Sequence, residues 1–398
     1  MDIITDTEAL AAFCAEAATG RYVTIDTEFL RERTYYAQLC LIQMALPGQD
    51  GRAVIVDPLA GEMSLAPLYE LFANEAVTKV FHAARQDLEI FYHDAGVFPR
   101  PLFDTQIAAM VCGHGEQVGY ETLVRKIAKA RLDKSSRFTD WSRRPLSEAQ
   151  LSYALADVTH LRVIYERLDA ELERTGRRKW LSEELATLSD PETYIIRPDE
   201  AWRRLKLRSR APRFLAAVKE LARFRETEAQ ARNVPRGRLL KDDAVLELAS
   251  LRPTTVEELA RARLLTREAR RGPLAGQIVA AIRTAESLSG RDIPAPEAGP
   301  DHDDVNPALA DLLRVLLKAK AGESGVAQKL IASSADLDRI AAGARDMPVF
   351  HGWRAEVFGD DARRLCRGEM ALGVEGRRVR LIPRAGASAG PGTAQPWD

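Results

Sequence analysis

The stretch Tyr22-Val23-Thr24-Ile25-Asp26-Thr27-Glu28 places two carboxylates at the end of an apolar run. Alternate side chains of a β-strand point to the same face, so Asp26 and Glu28 are expected to lie side by side. Two neighbouring carboxylates repel each other unless a cation lies close to both of them. The stretch therefore predicts a strand that ends in a cation-binding pair.

Two further carboxylates repeat this theme later in the chain. Asp87 follows the strand-like run Lys79-Val80-Phe81, and Asp157 comes four residues after Tyr153. Four residues make about one turn of a helix, so Tyr153 and Asp157 share a helix face. Singly, each carboxylate is better explained as a solvated strand end or as a charge near a helix N-terminus. The four together favour a metal site.

In this order and spacing, the three motifs resemble those of the DEDD exonuclease superfamily, in its tyrosine-bearing subclass. Their arrangement also resembles the ribonuclease D family, and the resemblance extends over nearly the whole chain. The first motif is Asp26 and Glu28, the second is Asp87, and the third is Tyr153 with Asp157. The resemblance implies an α/β fold with a ribonuclease H-like mixed-sheet exonuclease domain.

Carboxylate oxygens are the hard ligands that Mg²⁺ and Mn²⁺ prefer. The resemblance implies two such ions per site, about 3.5–4 Å apart. It assigns their ligands as Asp26, Glu28, Asp87 and Asp157, with Asp26 bridging the two ions and Asp87 supporting the second. Tyr153 is implied to orient the attacking water or to help deprotonate it. A phenol with a pKa of about 10 is a poor base at neutral pH, so the metal must do most of the activation.

Three further residues are candidates for binding the substrate. Phe29 adjoins the first motif and is a candidate for stacking on the terminal base, with core packing as the alternative. His82 and Gln86 also resemble family positions. For His82, a hydrogen-bonded histidine in the core or beside the site is favoured over a metal ligand, because imidazole adds little to a Mg²⁺ site. Asp104 is predicted to cap the helix that follows it.

The charge of the chain is distributed unevenly, although the net charge is only -1. Residues 1–170 carry 17 basic and 24 acidic side chains, whereas residues 200–290 carry 20 basic and 11 acidic ones. The basic region is predicted either to bind a polyanion or to be an Arg-rich solvated surface. The nuclease motifs upstream favour the first alternative.

A length of 398 residues predicts two or three domains. Residues 1–170 alternate strand and helix patterns, with strands at 22–25, 39–46, 53–56 and 79–82, the first three forming an antiparallel meander. Ser147 and Gln150 predict a capping box at the start of the helix that carries Tyr153 and Asp157. The predicted divisions are an exonuclease domain at 1–175, a linker at 176–199, all-α helical bundles at 200–290 and 305–382, a second linker at 291–304 and a disordered tail at 383–398.

The two bundles resemble HRDC domains in tandem, as the ribonuclease D family has them. The residues that carry this resemblance are 201–205, 222–226 and 233–237 in the first bundle, and 333–337 and 352–359 in the second.

The composition disfavours a membrane or secreted protein, and it disfavours cysteine-based sites. No apolar run approaches the roughly 18 residues of a membrane helix, and the N-terminus lacks signal-peptide features, so the protein is expected in the cytoplasm with no membrane partner. Four scattered cysteines have no Cys-x-x-Cys spacing, which argues against a zinc site or a disulfide framework. No motif indicates an obligate protein partner.

The resemblance implies a 3′-5′ exoribonuclease that releases 5′-mononucleotides from tRNA precursors and other small stable RNAs with 3′ extensions. One alternative is a DNA-directed exonuclease of the proofreading or helicase-associated kind, which the absence of a P-loop motif disfavours. The other is an RNA-binding module with a decayed catalytic centre, which the presence of all five motif residues disfavours. The residue types alone do not separate RNA from DNA, since that depends on what meets the 2′-hydroxyl.

Overall fold

The computed structural model describes residues 1–48, 50–133, 136, 139–293 and 305–384. Most of the predicted second linker, at 294–304, and the predicted tail from 385 onward lie outside the described residues.

A six-stranded mixed sheet forms the centre of the N-terminal domain. Its strands are β1 (Asp2–Ile4), β2 (Tyr22–Leu30), β3 (Gln38–Ala45), β4 (Ala53–Val56), β5 (Thr78–Phe81) and β6 (Leu102–Asp104), in the order β1-β4-β3-β2-β5-β6. The antiparallel meander of β2, β3 and β4 is confirmed, and β1, β5 and β6 each pair in parallel with a neighbour. The register shifts at a β-bulge between Glu28 and Phe29. The predicted mixed-sheet core is therefore confirmed.

Helices cover both faces of this sheet. They are α1 (Thr7–Ala17), α2 (Ala66–Ala73), α3 (Arg85–Ala95), α4 (Thr105–Val111), α5 (Tyr120–Leu123), α6 (Glu148–Thr175) and α7 (Arg178–Leu188). Because side chains alternate along β2, Val23 and Ile25 pack in the core beside α1, α2 and α3, whereas Tyr22 packs in the core beside α4 and α6. The strand that carries Asp26 is thus buried from both sides.

The segment 176–199, which the sequence predicts as a linker, contains helix α7. Leu181 and Leu185 lie four residues apart on one face of α7 and are buried in the core of the first domain. The other side of α7 contacts the C-terminal region, where the rings of Trp180 and Trp353 stack with centroids 5.1 Å apart. The Trp353 indole N–H also donates to Glu184 Oε1 at 2.9 Å. This segment is therefore an interface helix.

The basic region folds as a helical domain with its own core. Its helices are α8 (Pro212–Ala231), α9 (Arg236–Leu239), α10 (Asp242–Leu251), α11 (Arg267–Arg271) and α12 (Pro273–Ser287). Alanine and leucine side chains of α8 are buried against α10 and α12, as the helical pattern of the sequence predicts.

The C-terminal region has a second helical core, followed by a hairpin. Its elements are α13 (Pro307–Ser324), α14 (Gln328–Ile331), α15 (Ser334–Ala341), α16 (Gly352–Arg354), α17 (Asp360–Cys366), β7 (Met370–Glu375) and β8 (Arg378–Pro383). The prediction of an all-α bundle over 305–382 is wrong at this end. The run Arg378-Val379-Arg380-Leu381 alternates polar and apolar residues, and Gly376 takes the positive φ of 61° that the turn requires.

None of the helices in the described parts of the chain is long and apolar enough to cross a membrane. All four cysteines are free thiols.

Lys79 is a buried cation at the centre of β5, with none of its surface exposed. Its ammonium group donates to the backbone carbonyls of Asn74 and Val77, at 2.7 Å each, and to that of Arg100. Lys79→Met leaves these carbonyls without their donor, so we expect the free energy of unfolding to fall by about 2–4 kcal/mol. Urea unfolding of the two proteins measures this difference.

The pH dependence of stability provides a second check on Lys79. Burial lowers the pKa of Lys79 to about 8, below its usual 10.5. Between these values the unfolded chain binds the extra proton, so the Lys79 contribution to stability rises as the pH rises from about 8 to 10.5. Lys79→Met lacks this contribution, and equal pH dependence of the two proteins would contradict the account.

Candidate active site

Strand β2 presents Asp26 and Glu28 on the face that is covered by α6. The Thr24 hydroxyl on this face donates to the Val158 carbonyl of α6 at 2.9 Å, which fixes the helix against the strand. Asp26, Glu28 and Asp157 each offer a carboxylate oxygen, and these oxygens lie within 4.8 Å of one another. The strand periodicity and the helix thus bring together residues that are far apart in sequence.

The start of α6 is held against the sheet by several polar contacts. The predicted capping box of Ser147 and Gln150 is present. Just before it, Arg144 pairs with the buried Asp57 at 2.5 Å and donates to the Cys40 carbonyl at 2.9 Å. These contacts set the position at which α6 enters the site.

Tyr120 fixes the same helix further along, at Ala156 and Asp157. Its hydroxyl lies 2.7 Å from the carbonyl of Asp157 and 3.0 Å from that of Ala156. Because a single hydroxyl proton serves two carbonyls, Tyr120 ties the backbone of α6 at the residue that supplies the carboxylate.

Tyr153 lies one turn before Asp157 on α6, which places its hydroxyl on the same face as the Asp157 carboxylate. Its ring is backed by the buried Trp141, with centroids 6.0 Å apart. Burial, followed by the charges of Asp157, Glu28 and Asp26, raises the pKa of Tyr153 well above that of a free phenol. Tyr153 therefore carries its proton at neutral pH and is suited to orienting a water molecule.

Asp87 approaches from the opposite face of β2, in the first turn of α3. Its carboxylate accepts a hydrogen bond from the hydroxyl of Thr27, the residue between Asp26 and Glu28. The structure thus leaves Asp87 outside the group formed by Asp26, Glu28 and Asp157. Burial raises the pKa of Asp87 to about 7, while the Thr27 hydrogen bond opposes this shift.

The four carboxylates nevertheless form one electrostatic unit. Burial, and then the charges of Asp157, Asp87 and Glu28, raise the pKa of Asp26 well above its usual value. Such a shift shows negative charge concentrated in a partly buried place, which a cation would relieve. The donor set consists of hard oxygen atoms, so these residues fit Mg²⁺ or Mn²⁺.

An open cleft of about 240 Å³ lies over this cluster. The residues that line it are Asp26, His82, Gly119, Tyr120, Glu121, Thr122, Leu132, Tyr153 and Asp157. Of the three predicted substrate-binding residues, His82 is in this lining, whereas Phe29 and Gln86 are not. Gln86 is exposed near the start of α3, and the partly buried Phe29 pairs with Leu39 beyond the bulge.

His82 makes a defined hydrogen bond inside the protein. Its Nδ1 lies 3.0 Å from the Thr105 hydroxyl, which itself donates to the Phe81 carbonyl at 3.1 Å. Nδ1 therefore carries the proton and Nε2 remains an acceptor. Burial lowers the pKa of His82, which keeps the ring neutral. Nearby, Asp104 caps α4 as predicted and also accepts from the backbone N–H groups of Ala83 and Ala84.

Several residues with roles in this geometry were absent from the sequence predictions, among them Thr27, Tyr120 and Trp141. Thr27 lies inside the first motif, so strand alternation was the available signal that it faces away from Asp26. Tyr120 and Trp141 reach the site through loops and a short helix, and no spacing rule indicates that.

Comparisons with known proteins identify the family. A family model described as 3′-5′ exonuclease matches residues 1–173, and one described as HRDC domain matches residues 214–281. The chain is 63% identical to ribonuclease D of Jannaschia sp. (strain CCS1), over 95% of this chain and 98% of the relative. It is 50% identical to ribonuclease D of Granulibacter bethesdensis, over 96% of each.

Among solved structures, the chain resembles Escherichia coli RNase D, described as an exoribonuclease involved in structured RNA processing. The TM-score is 0.80 at 28% sequence identity, and the match covers 92% of this chain and 98% of the other. A protein from Bifidobacterium adolescentis shares the fold, with a TM-score of 0.66 at 20% identity. The carboxylate cluster, the exonuclease match and the nearly full-length relatives agree, and the chain belongs to the ribonuclease D family of 3′-5′ exoribonucleases.

Proposed function

We propose that this exoribonuclease trims the 3′ ends of tRNA precursors and other small structured RNAs, releasing 5′-mononucleotides by two-metal-ion hydrolysis. The observation that carries the proposal is the convergence of Asp26, Glu28 and Asp157, whose oxygens lie within 4.8 Å of one another at the base of an open cleft. RNA as the substrate class follows from the family, and the choice of tRNA precursors is part of the proposal.

Asp26, Glu28 and Asp157 would hold the first Mg²⁺ or Mn²⁺ ion, and Asp26 would reach the second ion together with Asp87. When bound, such ions lower the pKa of an attacking water and stabilise the charge that develops on the phosphate and on the leaving oxygen. The Thr27 hydroxyl fixes the carboxylate of Asp87 from behind the strand. This hydrogen bond would keep the Asp87 carboxylate in place to support that ion.

Tyr153 acts in this proposal as an orienting group. Its hydroxyl lies on the face of α6 that carries the Asp157 carboxylate, and its ring packs beside Trp141. A protonated phenol in this position can donate to or align the water that attacks the scissile phosphate. His82, with Nε2 free to accept, is a candidate contact for a hydroxyl group of the terminal nucleotide in the same cleft.

The helical domains would hold the body of the substrate. The excess of basic over acidic side chains in residues 200–290, 20 against 11, suits contact with RNA phosphates. We propose that the helical part of residues 305–382, which ends at Cys366, forms a second HRDC-like domain, supported by its helical core and by the capping box of Ser333 and Asp336. Action in the cytoplasm belongs to the same proposal.

The proposal is tested with a 3′-extended tRNA transcript and a matched single-stranded DNA, each incubated with Mg²⁺, Mn²⁺ or chelator. We expect stepwise shortening of the RNA from its 3′ end, abolished by chelator and by Asp26→Ala. RNA that stays intact under every metal condition would contradict the proposal and favour a binding module. Faster loss of the DNA would move the assignment to a DNA-directed exonuclease.

A further inference from the structure

The loop between β2 and β3, residues 31–37, directly continues the strand that carries Asp26 and Glu28. The second half of this loop contacts the HRDC domain at the end of α8 and the start of α9. The contacts are polar and specific, and they involve both the backbone and a side chain of the loop. They connect a metal-ligand strand to a separate domain.

Asn233, in the turn between α8 and α9, makes the central contact. Its Oδ1 accepts hydrogen bonds from the backbone N–H groups of Tyr35 and Tyr36, at 3.0 Å each. Asn233 has a φ of 48°, a left-handed conformation that asparagine adopts more readily than most residues do. One side-chain oxygen thus binds two successive amides and fixes the conformation of the loop.

The side chain of Tyr35 makes a second contact with the same domain. Its hydroxyl hydrogen-bonds to the Glu226 carboxylate and lies 3.2 Å from Gln230 Nε2. Glu226 is fully buried and pairs with Arg236 at 3.1 Å, and the Arg236 guanidinium lies 5.7 Å from the centre of the Tyr35 ring. Burial of a carboxylate is costly unless it is paired in this way, so this arrangement has a defined geometry.

The same loop also contacts the helix that carries Asp87. Arg31 forms an ion pair with Glu89 of α3, and the rings of Tyr36 and His93 lie 4.5 Å apart. The loop therefore contacts the HRDC domain on one side and α3 on the other, while it continues β2. Asp26 and Glu28 lie on β2, which the loop continues, and Asp87 lies on α3, which the loop contacts.

The chain that leads into the HRDC domain gives the domain a second anchor. Gln230 Nε2 also donates to the Ile196 carbonyl at 2.9 Å. Two residues earlier, Tyr194 is buried in the core of the first domain, with its ring 5.4 Å from that of Phe98. With anchors on both sides, a shift of the HRDC domain would displace the β2–β3 loop.

We infer that Asn233 is a positioning residue for the metal site, and that the HRDC domain is part of the scaffold that aligns Asp26, Glu28 and Asp87. This inference rests on the proposed function of the carboxylates. A positioning role for the HRDC domain differs from a role in binding RNA, because it predicts a lower kcat even on substrates that are too short to contact the HRDC domain. Among the described residues, those that line the catalytic cleft all lie between positions 26 and 157, so a diribonucleotide suits this purpose.

The test compares Asn233→Gly with Asn233→Asp in the full-length chain. Glycine tolerates the positive φ and removes the whole side chain, including the oxygen that accepts from the two amides, whereas aspartate keeps an oxygen that can accept from both. Asn306→Gly is the matched control, because Asn306 Oδ1 also accepts from a backbone amide, that of Leu309 at 3.1 Å, at the N-cap of α13. Both glycine variants lose one amide side chain from a helical domain.

Two quantities are measured for each protein: kcat on the diribonucleotide, and the Kd for Mn²⁺ by calorimetric titration. For Asn233→Gly we expect kcat to fall and the Kd to rise, each by about 3- to 30-fold, the range typical of residues that couple two sites. Asn233→Asp is expected to recover most of both losses. Asn306→Gly is expected to have the same kcat and the same Mn²⁺ Kd as the wild-type protein.

Two results would overturn the inference. One is an unchanged kcat and Mn²⁺ Kd for Asn233→Gly, with only a raised KM for long RNA, which would assign the HRDC domain to RNA binding alone. The other is an equal loss in Asn306→Gly, which would show a general effect on stability. If the unchanged protein cleaves no RNA, the proposed function fails instead, and the Mn²⁺ titration still decides the role of Asn233.

Discussion

Asp26→Asn is expected to lower the rate of RNA hydrolysis by at least about 1000-fold, equivalent to about 4 kcal/mol of transition-state stabilisation. Asp26 is the carboxylate that the charges of Asp157, Asp87 and Glu28 all act on, and it would contact both ions. The amide has nearly the same shape as the carboxylate but lacks its charge, so the cleft keeps its form while cation binding is weakened. Single-turnover assays on a 3′-extended RNA measure the loss.

The same substitution is expected to stabilise the metal-free protein. In the native state the raised pKa values of Asp26 and Asp87, the latter about 7, mean that the folded chain binds protons more tightly than the unfolded chain. Stability without metal therefore falls as the pH rises from about 4 to 7. Asp26→Asn removes one of the repelling charges, so its Tm in chelator at pH 7 is expected to exceed that of the unchanged protein.

Asp346→Asn is the control for this pair of measurements, since Asp346 is exposed in the C-terminal region and lies outside the cleft. We expect it to change neither the rate nor the Tm. A lower Tm for Asp26→Asn in chelator would show that favourable contacts hold the Asp26 carboxylate, and it would contradict the explanation by charge repulsion. Full activity of Asp26→Asn would show that Asp26 is not part of the active site.

Tyr153→Phe is expected to lower kcat by about 100-fold while leaving the affinity for Mn²⁺ nearly unchanged. The phenylalanine keeps the ring that packs on Trp141, so only the hydroxyl is lost. Because its pKa is raised by burial and by Asp157, Tyr153 does not titrate between about pH 6 and 9. The pH–rate profiles of the two proteins should therefore have the same shape at different heights.

Rates on one RNA across this pH range, together with Mn²⁺ titrations, check both parts of the Tyr153 prediction. An unchanged rate would remove Tyr153 from the mechanism. A weaker Mn²⁺ affinity that accounts for the whole loss would instead give it a role in holding the Asp157 carboxylate.

Local periodicity allowed much of the site to be predicted from the sequence. Asp26 and Glu28 are two residues apart on a strand, and Tyr153 and Asp157 are four apart on a helix with a capping box at Ser147. These spacings fix which side chains share a face, whatever the rest of the fold does. The meander of β2, β3 and β4 was predictable from apolar runs separated by turn residues such as Pro47 and Gly48.

The features that were missed depend on contacts between distant parts of the chain. The three-residue strands β1 and β6 are too short to show a pattern, and the contact of Asp87 with Thr27 depends on how α3 packs against β2. The contact between Asn233 and the β2–β3 loop joins residues almost 200 positions apart. For helix α7 a signal was present, since Leu181 and Leu185 have helical spacing, but the turn residues that follow it suggested a linker.

The bulge beside Glu28 limits the changes in length that strand β3 can tolerate. It gives β3 one residue more than β2, so that the consecutive residues Cys40 and Leu41 both lie in the apolar cluster with Trp141 and Ala154. Deleting one residue there would restore regular pairing, but it would take a side chain from beneath Trp141 and so loosen the support of Tyr153. Length changes in this strand should therefore be rarer among functional descendants than substitutions that keep its length.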